Sequence, residues 1–325
     1  MNKKTKTLIF MMIIALMCTF PGFMSKYILH LIVYVMINSI AVLGLNILGS
    51  SGQISNAQAA FFGIGAYTAA LLSLRLNASF WVYMLVVIVV TFIAGFLVGL
   101  PTMKVSGLYL IMTTMGINEI IYQVFKNWIS LTNGPSGLNR IPAPVIFGFK
   151  LKNVFSYYYL ALVMFIIFVF LTNRIFKSRL GYFFTSIKNN SIAANMNGVN
   201  VNGIKLLAFA ICSLFAGVAG ALYASYISYI SPENFTTNVS ISFLTISIFG
   251  GNGSILGVII ANVLLTFATE YFRVIGEYRL VIYGILLILA MIYMPNGIGG
   301  LFKKATGYVR KRISDHRIKK AGGIK

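Results

Sequence analysis

Residues 80–100 read FWVYMLVVIVVTFIAGFLVGL, a stretch with no Lys, Arg, Asp or Glu. A helix of that length rises about 30 Å, the thickness of a bilayer's hydrocarbon core. The stretch does not alternate polar with apolar residues, so it does not read as a barrel strand. Inside lipid, a helix satisfies its backbone from within. Working outward, similar apolar blocks lie at 8–24, 28–48, 57–74, 105–125, 155–173, 205–230, 239–250, 254–271 and 279–294. The composition agrees: 58% of the 325 residues are hydrophobic and 10% are charged, with a mean hydropathy of +0.87. A soluble domain carries about a quarter charged residues. The expectation is an all-α integral membrane protein, a polytopic bundle of about ten transmembrane helices. Residues 1–300 form one transmembrane domain and 301–325 a basic tail.

The net charge is +21, from 26 basic and 5 acidic side chains. The basic residues lie between apolar blocks and at the two ends. They read as topology signals and contacts to anionic membrane lipids, not as a nucleic-acid surface. With all ten blocks crossing and a cytoplasmic N-terminus, the cytoplasmic segments hold roughly 18 Lys and Arg and the opposite side roughly 8. Both termini are then cytoplasmic. Residues 126–154 become an external loop and 174–204 an internal one. The weak crossings are 57–74, small-residue-rich with a re-entrant reading open, and 239–250, which is short. An even number of crossings is the firmer expectation. Lys3, Lys4 and Lys6 followed by an apolar run resemble a signal peptide, but no A-x-A-like cleavage site follows and Met17 before Cys18 fits a lipoprotein site poorly. A retained first span is expected. The tail places Phe302, Ala305, Val309 and Ile313 at helical spacing, so it either lies on the inner leaflet or frays.

Small residues one turn apart let helix backbones approach in lipid. Gly95 with Gly99, Gly217 with Ala221, and Gly253 with Gly257 are of this type. The cluster Gly250-Gly251-Asn252-Gly253-Ser254 reads as a tight turn between two spans, with a broken helix as the alternative.

The chemistry-bearing motifs are few. No G-x-x-x-x-G-K-[ST] occurs, so no P-loop is present. His30 and His316 are far apart, and Cys18 and Cys212 both lie in apolar blocks, so no metal site or disulfide framework is expected. Glu119, late in its block, and Glu270 are the acidic residues in the apolar stretches up to 271. Such groups face a watery path or reach the interface from a span's end, and both readings are open. The positive signal is Ser191-Ile192-Ala193-Ala194-Asn195-Met196-Asn197-Gly198. Ser191 suits an N-cap and Gly198 the position past a helix end. A two-turn helix between them would offer Ile192 and Met196 as an apolar ridge, with Ala193 and Ala194 permitting close approach to a soluble partner.

At these residues the chain resembles a known family. Ala193-Ala194-x-x-x-Gly198 is similar to the cytoplasmic motif by which permeases of ATP-binding-cassette importers engage their ATPases. Asn46-Ile47-Leu48 through Gly52-Gln53-Ile54-Ser55, and Ala59-Ala60-Phe61-Phe62-Gly63-Ile64-Gly65-Ala66-Tyr67, resemble the branched-chain amino-acid permeases of the LivM type. Leu131-Thr132-x-Gly134-Pro135-x-Gly137-Leu138, Ser231-Pro232-Glu233-x-Phe235 and Pro295-x-Gly297 follow in the family's order. In place of the family's usual acidic residues around the Ala-Ala pair stand Asn189, Ser191 and Asn195.

The resemblance implies a bacterial inner-membrane permease with no ATPase site of its own. It implies two ABC ATPase subunits that bind ATP and Mg, a second related permease and an extracytoplasmic substrate-binding protein. The implied substrates are branched-chain amino acids; relatives move urea or other amino acids. The coupling residues are then Ser191, Ile192, Ala193, Ala194, Met196 and Gly198, and the candidate path residues are Glu119, Gln53 and Ser55. An ion-coupled secondary transporter is the alternative from another class.

Overall fold

The computed structural model describes residues 25–146, 148–151, 153–271 and 297–300. The blocks 8–24 and 279–294 and the tail 301–325 lie outside these residues. Every other apolar block is a helix: α1 Lys26–Ser50, α2 Gln58–Arg75, α3 Phe80–Thr102, α4 Leu108–Asn127, α5 Val154–Lys177, α8 Val201–Ile227, α9 Thr237–Gly250 and α10 Ile255–Tyr271. Between α5 and α8 come two more, α6 Arg179–Asn189 and α7 Ser191–Met196. Among the described residues, four helices, α1, α3, α5 and α8, are long and apolar enough to cross a membrane.

The segment 174–204, expected to be a loop, is thus mostly helical. Its signal was Leu180, Phe184 and Ile187, one apolar edge at helical spacing; Phe184 and Ile187 are buried. Residues 126–153 are structured too. A helical turn at Ile129–Thr132 leads to strand β1, Leu138–Asn139, then to a hairpin of β2, Val145–Ile146, and β3, Phe149–Lys150. Strand β1 pairs antiparallel with β4, Tyr229–Ile230, just past the end of α8. The pairing explains Gly137. Its φ is +66°, and a Cβ there would sit 2.1 Å from the Ile230 carbonyl oxygen. Only glycine lets the loop lie this close to β4.

Helices α1 and α8 form the buried centre; helices α3 and α5 each leave one face open. The exposed residues of α3 include Val82, Leu85, Val89, Ile93, Phe96 and Leu100, a stripe at helical spacing suited to lipid. Because lipid is as apolar as leucine, the bundle is held by close packing and polar ties. A Cβ on Gly95 would lie 1.8 Å from Ser213 Oγ, one on Gly99 2.6 Å from Leu206, and one on Gly217 2.2 Å from Thr91. These are the α3–α8 contacts that the small-residue spacing implied. A Cβ on Gly257 would lie 2.1 Å from the Gly250 carbonyl oxygen. Gly253 corrects the expectation: a Cβ there meets nothing within 4 Å, and its φ of +83° marks a turn residue. The Gly250–Ser254 cluster is a tight turn between α9 and α10. Asn46 on α1 clamps it, donating to the Gly251 carbonyl at 3.0 Å and accepting from the Gly253 N–H at 3.2 Å. Polar ties add to the packing: Asn262 on α10 donates to Val35 O and Ser39 Oγ on α1, and Tyr157 on α5 donates to Leu222 O on α8.

The bundle therefore has two distinguishable ends. One carries 126–153, β4, and the start of α1, where His30 meets Tyr226. The other carries α6, α7 and the Gly250–Ser254 turn.

Candidate functional site

Two helices begin inside the bundle instead of at its ends. Helix α1 finishes at Ser50, and the chain then turns back inward without helical structure from 51 to 57. Gln58, the first residue of α2, donates from Nε2 to Ala41 O at 2.6 Å, well up α1 from its end. The Asn56 N–H donates to Thr114 Oγ1 at 2.8 Å, and Thr114 lies within α4. From this depth α2 runs parallel to α4 and reaches the loop end, where Arg75 donates to the Ser130 carbonyl. Helix α9 starts at the same depth and runs the other way, towards the turn at Gly250. Its fourteen residues rise only about 21 Å, too short to span alone. These two helices are the blocks whose crossing was least secure in the sequence.

The two helix N-termini meet in a buried polar junction. The Ala59 N–H donates to Ser240 Oγ at 3.2 Å, and Ser240 Oγ donates to the Asn56 carbonyl at 2.7 Å. The Ala60 N–H donates to Asn118 Oδ1 at 2.8 Å, while Asn118 Nδ2 donates to Thr237 Oγ1 at 3.3 Å. Thr114, Asn118 and Ser240 have no exposed surface. The physical need is plain. The first turn of a helix leaves N–H groups unpaired, and here they are buried in protein, so side chains from α4 and α9 accept from them instead. Breaks of this kind, with irregular backbone buried in protein, are where transporters build mid-membrane sites. An aromatic wall of Phe62, Tyr67, Phe125 and Phe235 covers the side towards the loop end.

The residues expected in a path are distributed around this junction. Ser55 is buried in the 51–57 segment and its Oγ accepts from the Ala57 N–H; Gln53 is buried lower down, bonded to Ser51. Neither shares a hydrogen bond with Glu119 among the described residues. Glu119 is not near a helix end: α4 runs from Leu108 to Asn127, which puts it close to the middle. It is exposed, and it accepts from Gln123 Nε2 at 2.9 Å and Thr237 Oγ1 at 3.4 Å. Asn56, Thr114, Asn118 and Ser240 were not singled out from sequence. Thr114, Asn118 and Ser240 showed only as polar residues inside apolar blocks, and Asn56 fell between two of them.

A further cavity of about 170 Å³ opens between α1, α9 and α10, with Asn38, Ser242 and Thr266 among its lining residues. The Asn38 Oδ1 atom is buried without a hydrogen-bond partner.

At the opposite end, α7 spans Ser191–Met196. Its N-cap is Asn190, not Ser191: Asn190 Oδ1 accepts from the Ile192 and Ala193 N–H groups at 3.1 and 3.0 Å. Gly198, with φ +79°, ends the turn as expected. Ile192 and Met196 are 69% and 83% exposed and form the apolar ridge. Ala194 is buried against the chain itself, so of the alanine pair only Ala193 is open to a partner. Helix α6 ties this element to the re-entrant segment, because Lys188 lies against Gly52.

Full-length apolar helices, broken helices and a polar knot at mid-span define a polytopic membrane protein of the transport class. The family described as "Branched-chain amino acid transport system / permease component" matches residues 27–291, and the chain belongs to that family. It is 33% identical over 315 residues to the high-affinity branched-chain amino acid transport system permease protein LivM of Salmonella typhimurium, covering 90% of this chain and 74% of that one. Against LivM of Escherichia coli K12 the identity is 33% over 310 residues, covering 88% and 73%. A more distant similarity, 24% over 268 residues and covering 78% and 75%, links it to the autoinducer 2 import system permease protein LsrC of Escherichia coli HS. No solved structure matches the chain.

Proposed function

We propose that this chain is the membrane-embedded permease subunit of an ATP-binding-cassette importer for branched-chain, aliphatic amino acids in the bacterial inner membrane. Family membership over residues 27–291 is the observation that carries this reading. In it, about ten helices cross, both termini are cytoplasmic, and the end bearing 126–153 faces an extracytoplasmic substrate-binding protein. A second related permease completes the path. Two ATPase subunits bind ATP and Mg²⁺ on the other side, and this chain contributes no catalytic group.

The work enters through α7. Ile192, Met196 and the open face of Ala193 dock on an ATPase, with Ser191 and Gly198 bounding the contact. Movement of α7 passes through α6 and Gly52 to the re-entrant segment holding Gln53 and Ser55. From there it reaches α2 and α9, whose polar junction gives them a point about which to shift.

The test is uptake of labelled leucine, isoleucine and valine by reconstituted vesicles containing all five subunits, with ATP inside and the loaded binding protein outside. Uptake is expected to need ATP and the loaded binding protein and to ignore proton and sodium gradients. Uptake by this chain alone, driven by an ion gradient, would sink the proposal.

A further inference from the structure

Among the described residues, no Lys or Arg pairs with the carboxylate at the middle of α4. Glu119 is exposed on the α4 face that also presents Met112, Met115 and Gln123. It lies roughly 12 Å from the α4 C-terminus and 16 Å from its N-terminus at 1.5 Å per residue. Its two hydrogen-bond partners, Gln123 and Thr237, are neutral amide and hydroxyl groups. An ionised carboxylate facing hydrocarbon is costly, so such groups face a water-filled cavity. Glu119 is thus an exposed carboxylate at mid-helix, open to a cation that comes and goes.

The substrate class of the proposed function brings one such cation. Every α-amino acid carries an ammonium group, and an aliphatic one also needs an apolar surface. Met112 and Met115, flexible and exposed beside Glu119, supply a wall that adapts to differing side chains. We propose that Glu119 recognises the ammonium group of a zwitterionic aliphatic α-amino acid during passage. Gln123 and Thr237 are positioning residues: their donors hold the carboxylate oxygens towards the open face. The inference rests on the permease reading above and adds the contact that reading lacks.

Glutamine is a sharp probe. Glu119→Gln keeps one oxygen to accept from Gln123 and an amide N–H that can donate to Thr237 Oγ1, but removes the charge, whereas Glu119→Asp keeps the charge. In vesicles holding the complete transporter, E119Q is expected to lower ATP-driven leucine uptake about ten-fold or more, and E119D to restore much of it. A hydrogen-bonding role alone predicts E119Q uptake equal to wild type, which would overturn the inference. So would equal loss in E119Q and E119D. If E119Q does not assemble, Glu119→Cys decides: reaction with a water-soluble charged thiol reagent supports the inference, and reaction only with a lipid-soluble one overturns it. Wild-type vesicles without ATP-driven uptake would instead remove the permease reading itself.

Discussion

Asn118 carries more of the mid-span junction than any neighbour, since one side chain serves two helices. Its carbonyl oxygen caps the α2 N–H of Ala60 and its amide donates to Thr237 at the start of α9. Replacing it with leucine keeps the bulk and removes both bonds. The Ala60 N–H is then buried with no acceptor, which costs about 1–3 kcal/mol. Asn118→Leu is therefore expected to lower the midpoint of thermal unfolding in detergent by several degrees, whereas Thr113→Leu, on the same helix and bonded only to that helix through Tyr109 O, should change it little. The side chain next to Asn118 behaves differently: Glu119 looks out where Asn118 looks in. Adjacent positions on a helix point about 100° apart, so one dipeptide can serve the fold with one member and the solvent path with the other.

At the level of elements, the contact between α2 and α8 depends on the absence of side chains. A Cβ on Gly65 would fall 2.0 Å from the Gly217 carbonyl oxygen, and one on Gly220 1.8 Å from the Phe62 carbonyl oxygen. Backbone cannot yield as a side chain tip can. Gly65→Ala is expected to destabilise the bundle by about 1–3 kcal/mol, read as a lower unfolding midpoint. Gly116→Ala on α4, where a Cβ meets nothing within 4 Å, should be neutral or gain up to about 1 kcal/mol from helix propensity. Helix α7 gives the functional counterpart. Ile192→Asp with Met196→Asp is expected to leave that midpoint unchanged, because both side chains are exposed. It should nonetheless abolish co-purification of the ATPases and ATP-driven uptake; retained co-purification would remove α7 from the coupling role.

These elements also show what could be read beforehand. Block length and hydropathy marked the helices, because lipid leaves a chain so few choices. Gly95, Gly99 and Gly217 were legible as contacts from their spacing. Helix α6 was missed although Leu180, Phe184 and Ile187 wrote its edge, since a run of lysines and asparagines around it read as loop. The junction was not legible in detail. It joins Asn56 to Ser240 across 184 positions, and no local pattern announces a partner that distant. Only its symptom was visible, as the two blocks that made poor spans.

For the whole molecule the decisive question is which end faces which side. The structure fixes that Phe149, in the loop hairpin, and Met196, on α7, stand at opposite ends of the bundle, and both are exposed. The proposed function puts the α7 end in the cytoplasm, the side expected from the excess of basic residues, and every step of the coupling argument requires that orientation. Cysteine labelling can test it directly. Cys212 is buried against Gln58, and replacing it and Cys18 by alanine gives a background without thiols. In intact cells, a membrane-impermeant maleimide is expected to label Phe149→Cys and not Met196→Cys. Permeabilising the inner membrane should expose Met196→Cys to the same reagent. The reverse pattern would put α7 outside, away from any ATP, and no rearrangement of the helices between them would rescue ATP-driven transport. Labelling of both positions in intact cells would mean that the two ends do not lie across a sealed bilayer, which conflicts with four helices long enough to cross it.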